Sequence, residues 1–190
     1  MKYSREKLIN LKNTNKFLFF WGHQPSRDGS TNQSCLSQWW QVDFLIDGIT
    51  YKSAEHFMMA EKARIFNDHK VLGKILVCKT PAEAKKLGRQ VRNFIPSIWE
   101  QHRFDIVKKA NWHKFSQNDR LKTFLLTTKK RILVEASPVD QIWGIGLAKD
   151  HEDAQNPESW KGLNLLGFAL MEVRDRLINE YPNVSILIRI

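Results

Sequence analysis

Residues 39–66 read WWQVDFLIDGITYKSAEHFMMAEKARIF, and the order of patterns in this stretch decides the fold. Trp39 to Ile46 alternates apolar and polar side chains well enough for a strand. Asp47-Gly48 follows, a pair suited to a two-residue hairpin turn whose central positions both need positive φ. Ile49 to Tyr51 is then the returning strand. Ser53 to Phe66 predicts a helix, with Ala54, Phe57, Met58, Ala60, Ala63 and Ile65 spread around much of its circumference. A helix that is apolar on so many sides is a largely buried one. A hairpin running straight into a buried helix points to an α+β fold.

The flanking sequence adds helices and little strand. Toward the N-terminus, Lys16–Trp21 (KFLFFW) is a short apolar run that fits a buried strand, and Gly22 to Ser34 is a polar, Gly- and Pro-bearing loop. Toward the C-terminus, Thr80, Pro81 and Glu83 form a capping box with proline at the first helical position. Ser97 with Glu100, and more weakly Ser116 with Asp119, predict two further helix starts. Arg131 to Ala136 (RILVEA) predicts a strand, and Ser137 to Leu163 a long loop of the kind that is often functional. Asn164 to Tyr181 predicts the last long helix, and Ser185 to Ile190 (SILIRI) a terminal strand. The expected architecture is a mainly helical single α+β domain over residues 16–181 with a small β-sheet. A lead-in, 1–15, and a C-terminal extension, 182–190, flank it.

The chain has 190 residues, 42% of them apolar, enough for an ordinary core. Its net charge of +10 favours anionic partners through long-range attraction. Cys35 and Cys78 are the two cysteines, far apart and outside any metal-ligand spacing, so no metal and no cofactor are expected. The polar, basic start and the lack of a long apolar run predict neither a secretory signal nor a membrane span. A cytoplasmic location is the matching expectation. Walker A, GxGxxG, HExxH, GxSxG and zinc-deaminase motifs are all missing, which favours acid/base chemistry.

Three groups of residues have the means for such chemistry. Glu55 and Lys62 are seven residues apart, so they project from nearly the same face of the predicted helix, two turns from each other. Spacing alone favours a solvated ion pair at the surface, since charged pairs on helices are usually solvated. Glu135 to Gly146 (EASPVDQIWGIG) sets Asp140 and Trp143 on a glycine-punctuated turn, either as site residues or as a turn former and a core anchor. The tryptophans, Trp21, Trp99 and Trp143 among them, offer flat faces for a base, or core bulk.

The segment Asp47–Lys62 (DGITYKSAEHFMMAEK) resembles the signature of the YbiA-like, or NADAR, family: a strand, an acidic-Gly turn, then a Ser-Glu-His-aromatic helix start with a lysine two turns on. Leu87–Arg92 (LGRQVR), Trp99–Ala110 (WEQHRFDIVKKA), Leu133–Gly146 and Gly162–Leu177 (GLNLLGFALMEVRDRL) extend the resemblance over roughly residues 17–178. It departs where Ala54 intervenes between Ser53 and Glu55, where Trp39 and Trp40 follow Leu36-Ser37-Gln38 in place of a common Ser-Asn-Phe, and in the insertion Leu147 to Lys161. The resemblance implies a YbiA-like fold with no obligatory metal. It implies cleavage of the N-glycosidic bond of a phosphoribosyl aminopyrimidine of the riboflavin pathway, or removal of ADP-ribose from guanine in nucleic acid.

By the same resemblance, Glu55 matches the catalytic glutamate, and Trp99, Asp140 and Trp143 match pocket-lining residues. Lys62 matches a lysine able to attack C1′ or form an imine. Asp140 is the expected second catalytic carboxylate, since a departing nitrogen base needs a proton. Arg103, with Arg27 and Arg89, is a candidate phosphate clamp by charge and position; Asn164 and Trp21 complete the expected substrate-binding set. The expected partner is an anionic small molecule carrying ribose phosphate, with ADP-ribosylated nucleic acid as the alternative and no membrane. A basic nucleic-acid-binding protein without catalysis is the competing reading.

Overall fold

A computed structural model describes residues 1–10 and 16–182. In chain order its elements are α1 (Arg5–Ile9), β1 (Phe17–Phe20), β2 (Phe44–Ile46), β3 (Ile49–Tyr51), α2 (Ala54–Ile65), α3 (His69–Val77), α4 (Pro81–Gly88), α5 (Pro96–Ser116), α6 (Asp119–Thr127), β4 (Ile132–Glu135) and α7 (Leu165–Glu180), with short 3-10 turns at Gln33–Leu36, Glu152–Gln155 and Pro157–Ser159. The fold is α+β and mainly helical, as expected. The strands form two separate pairs rather than one sheet. The terminal strand expected at Ser185 to Ile190 lies outside the described residues. The chain divides into two compact units, Gln38–Asn118 and Met1–Ser37 with Asp119–Ile190.

Within Gln38–Asn118, β2 and β3 form the expected antiparallel hairpin, Phe44 opposite Tyr51 and Ile46 opposite Ile49. Asp47 (φ 51°) and Gly48 (φ 77°) supply its two positive-φ positions. β2 is shorter than the strand predicted over Trp39 to Ile46. Its partner gives out: β3 has three residues before Ser53 turns the chain, and the Val42 amide adds one last bond to the Lys52 carbonyl, 3.0 Å. Ser53 is the N-cap of α2, accepting from the His56 amide. The helix is buried over Ala54–Ala60, as its apolar circumference predicted, and packs on α3, α4 and α5.

Helix α3 is an element that the sequence patterns do not predict. Asp68 caps it, and Val71 and Ile75, one turn apart, bury its inner face. The capping box at Thr80 and Glu83 is present in α4. α4 ends in Gly88, where an added Cβ would lie 2.0 Å from Met59 Sδ, so the glycine lets α4 approach α2. The cap expected at Ser97 and Glu100 is not formed. α5 starts two residues earlier than that cap implies, at Pro96, with Ile95 as N-cap and no side-chain cap bond. Proline's fixed φ suits the first helical position, and Glu100 pairs with Arg103 instead, 3.7 Å. Ser116 likewise ends α5 rather than capping α6.

In the other unit, β1 and β4 pair in parallel, Phe17 opposite Ile132 and Phe20 opposite Glu135. Leu133, Val134, Ile145, Leu166, Phe168 and Trp160 are buried in its core. The Trp160 indole N–H donates to the Ala154 carbonyl, 2.8 Å, which settles this tryptophan as a core residue. α7 lies against β4, and Gly167 makes that possible: a Cβ there would sit 2.1 Å from the Leu133 carbonyl oxygen. Buried Arg174 of α7 donates to Thr128 Oγ1 and to the Arg131 carbonyl, both 2.8 Å, tying the helix to the turn before β4.

Candidate active site

Helix α2 carries the first set of candidate residues. Glu55 is 2% exposed, deep for a carboxylate, and its backbone N–H donates to the Gln38 carbonyl at 3.0 Å. The surface ion pair that spacing alone allowed is therefore not what Glu55 makes. His56 beside it is also buried; its Nδ1 is 2.8 Å from Ser53 Oγ. Burial holds the His56 imidazole below its ordinary pKa. A neutral ring hydrogen-bonded to the capping serine fixes the first turn of the helix, and with it the backbone from which Glu55 projects.

Lys62 lies two turns on and is half-buried. Its ammonium sits 4.1 Å from the centroid of the Phe94 ring. Burial pushes its pKa down, and the nearby Glu55 carboxylate opposes that shift. The two side chains thus sense each other, as their common helix face predicted. Tyr51 and Arg64 border this stretch, the Arg64 guanidinium donating to the Tyr51 hydroxyl at 2.9 Å and pairing with Glu61. On α5, Trp99 and Arg103 are one turn apart on the same face. Trp99 is half-buried, and Arg103 is 11% exposed beside Glu100.

The second set belongs to the turn after β4. Asp140 Oδ1 accepts from the backbone amides of Ile142 (2.9 Å) and Trp143 (2.8 Å), so this carboxylate makes the turn it sits in. Gly144 and Gly162 are close-approach residues: a Cβ at Gly162 would lie 2.3 Å from the Gly144 carbonyl oxygen. The long loop is well ordered by backbone bonds, Ile145 to Glu135, Lys161 to Ile145 and Leu163 to Gln141, each 2.9 Å. Trp143 is half-buried.

Asn164, at φ 53°, is fully buried. Its Oδ1 accepts from the Glu135 amide and its Nδ2 donates to the Leu133 carbonyl, 3.0 and 2.9 Å. Those bonds lock the start of α7 to β4. Trp21, just past β1, is 60% exposed. Phe94 is the neighbour of Lys62 that sequence reasoning does not single out, while His56 and Ser53 enter it only as part of the family signature, with no role given to either. The Ser53–His56 spacing, a cap followed by a ring three residues on, is the available signal. Among the described residues no cluster of His, Cys, Asp or Glu could hold a metal ion, and no helix is long and apolar enough to cross a membrane.

These elements, in this chain order, have a known counterpart. The NADAR domain matches residues 19–178, and the chain belongs to that family. It is similar to N-glycosidase R617 of Acanthamoeba polyphaga mimivirus, 44% identical over 167 residues, which cover 85% of this chain and 96% of that one. It is 32% identical over 143 residues to the riboflavin biosynthesis protein PYRR, chloroplastic, of Zea mays, covering 72% of this chain and 21% of that one. The NMR structure of the E. coli protein YbiA matches with a TM-score of 0.70 at 26% identity, over 90% of this chain and 91% of that one. The enzyme class of the chain is accordingly that of glycosidases acting on N-glycosyl bonds.

Proposed function

We propose that this N-glycosidase hydrolyses the C1′–N bond of a phosphoribosyl aminopyrimidine, a riboflavin-pathway intermediate, releasing ribose 5-phosphate. The observation that carries the reading is a nearly inaccessible carboxylate, Glu55, on the same buried helix as a lysine whose pKa is depressed. Breaking C1′–N leaves positive charge on the ribose ring, and a buried carboxylate stabilises that charge more strongly than an exposed one. Glu55 then takes a proton from the attacking water, whose oxygen bonds to C1′, while the departing nitrogen is protonated. Asp140 is the proposed donor of that proton. Trp99 and Trp143 are proposed to hold the base, and Arg103 the phosphate. Asn164 is proposed to act by fixing the start of α7, since its amide is already bonded to β4. Trp21 is proposed to border the entrance.

The similarity to a relative named for riboflavin biosynthesis supports this substrate over others with the same bond. The experiment is incubation of the purified chain, in parallel, with a phosphoribosyl aminopyrimidine and with ADP-ribosylated guanine in an oligonucleotide. Ribose 5-phosphate from the first is the expected product. Release of ADP-ribose from the second alone would replace the proposal with a nucleic-acid glycohydrolase.

A further inference from the structure

Lys62 stands near the end of buried helix α2 without an anionic partner in contact. Among the described residues its ammonium is in no ion pair, whereas Lys2, Lys108, Lys109 and Lys122 each pair with an aspartate. Glu55, two turns back, acts on it through space. The group that Lys62 Nζ does sit over is the Phe94 ring, 4.1 Å from the centroid. That is the closest approach of an ammonium to a ring among the described residues, the next being 4.4 Å. The face of an aromatic ring is negative, so it attracts a cation within about 6 Å, more strongly where water is kept out.

The ring is held in place from two sides. Buried Phe66, just past α2, meets it in a T-shaped contact, centroids 5.2 Å apart. Arg92, two residues before Phe94, is fixed to Asp68 at the start of α3 through its backbone amide at 3.0 Å and its guanidinium at 3.1 Å. Asn93 between them takes a left-handed turn, φ 55°. Phe94 itself is 39% exposed, so filling the core does not account for a ring at this position.

We propose that Phe94 is a positioning residue of the N-glycosidase reaction, its ring face holding the Lys62 side chain as an ammonium ion where a carboxylate would otherwise be needed. The inference rests on the reading that puts Glu55 and Lys62 in the active site. A carboxylate partner would cancel the charge of Lys62. Collapse of Lys62 onto Glu55 would screen the negative charge that is proposed to face C1′. A ring attracts the cation and leaves its charge intact, so the ammonium stays available to an anionic group of the substrate while Glu55 stays a free carboxylate.

The test follows the Lys62 ε-carbon resonance against pH in the full chain labelled with carbon-13 lysine, the resonance being assigned by its loss in Lys62→Arg. Phe94→Leu keeps an apolar side chain and removes the ring. Its Lys62 titration midpoint is expected to fall by about half a pH unit, the size of one lost cation–π contact. Phe94→Trp offers a stronger ring face and should not lower the midpoint. Turnover is measured on whichever of the two glycosyl substrates the chain cleaves, so a wrong substrate assignment does not affect the outcome. At neutral pH kcat/KM is expected to fall about fivefold in Phe94→Leu and to stay within about twofold in Phe94→Trp. Should Phe94→Leu not fold, Phe94 replaced by pentafluorophenylalanine carries the test, since it keeps the shape and reverses the charge on the ring face. An unchanged Lys62 midpoint without the ring, or equal loss of turnover in the Leu and Trp variants, would overturn the proposal. A lowered midpoint with unchanged turnover would overturn it too, and full activity of Lys62→Met would then trace the failure to the placing of Lys62 in the site rather than to its contact with Phe94.

Discussion

Asp140 has two possible jobs, and a single substitution separates them. Its Oδ1 accepts two backbone amides and makes the turn that carries Trp143. Asparagine keeps that oxygen and removes the acidic group. Asp140→Asn is therefore expected to fold with a nearly unchanged melting temperature and to lose about 100-fold in kcat, the lower range for a missing general acid. Retained turnover would leave Asp140 a turn former only. Lys62 divides in a similar way. Its lowered pKa raises the neutral fraction below the ordinary lysine range, so a step that needs the free amine speeds up as pH rises through that lowered value. A neutral amine can capture a ribose opened at C1′ as an imine, losing water. Direct attack by water on C1′ predicts no sugar adduct on the Lys62 peptide when borohydride is added during turnover, as read by mass spectrometry, and a Lys62→Arg variant that keeps part of its activity. An adduct together with an inactive Arg variant would replace direct attack with an imine on Lys62.

At the scale of elements, close backbone approach and one half-buried ion pair set the geometry. A methyl at Gly167 meets a strand carbonyl at 2.1 Å and the Asn164 amide at 2.6 Å, neither of which can rotate away. Overpacking of about 3 kcal/mol, less about 1 kcal/mol gained in helix propensity, leaves Gly167→Ala destabilised by roughly 2 kcal/mol in urea unfolding. Gly88→Ala meets the flexible end of Met59 and should cost less. Asp68 caps α3 and holds Arg92 through the Arg92 amide at 3.0 Å and its guanidinium at 3.1 Å, which keeps the carboxyl well below the usual range. Since the folded pKa is depressed, its contribution is complete above the unfolded value of about 3.9 and is lost as pH falls below it. Thermal melts from neutral to acid pH should show the gap between the unaltered chain and Asp68→Asn closing as pH drops.

These same elements show what the sequence could reveal. The Asp-Gly hairpin and the Thr80 capping box depend on neighbours in sequence, and each is found where its residues predicted. Helix α3 is hidden because Gly73 and two β-branched valines weaken its local signal, while burial of Val71 and Ile75 against the rest of its unit stabilises it. At Ser97 a capping pattern gives way to Pro96 one residue earlier, a competition between local signals that the pattern alone does not decide. The depth of Glu55 is equally beyond spacing, which favours a solvated surface pair where the carboxylate is 2% exposed. The two hydrogen bonds between Asn164 and β4 join positions some thirty residues apart and leave no local trace.

For the whole molecule, family membership assigns the bond that is cut, and the chain's own residues must account for how. The +10 charge suits an anionic substrate without selecting one. The central claim rests on a buried carboxylate at Glu55 acting on C1′. Its most direct test is ribose 5-phosphate release from a phosphoribosyl aminopyrimidine, measured side by side for the unaltered chain and for Glu55→Gln, which keeps the shape of the side chain and removes its charge. The account expects steady release by the first, and from a folded Glu55→Gln a rate lower by at least about 1000-fold, or more than about 4 kcal/mol of barrier. Near-equal release by the two, or an intact substrate with the unaltered chain, would contradict it.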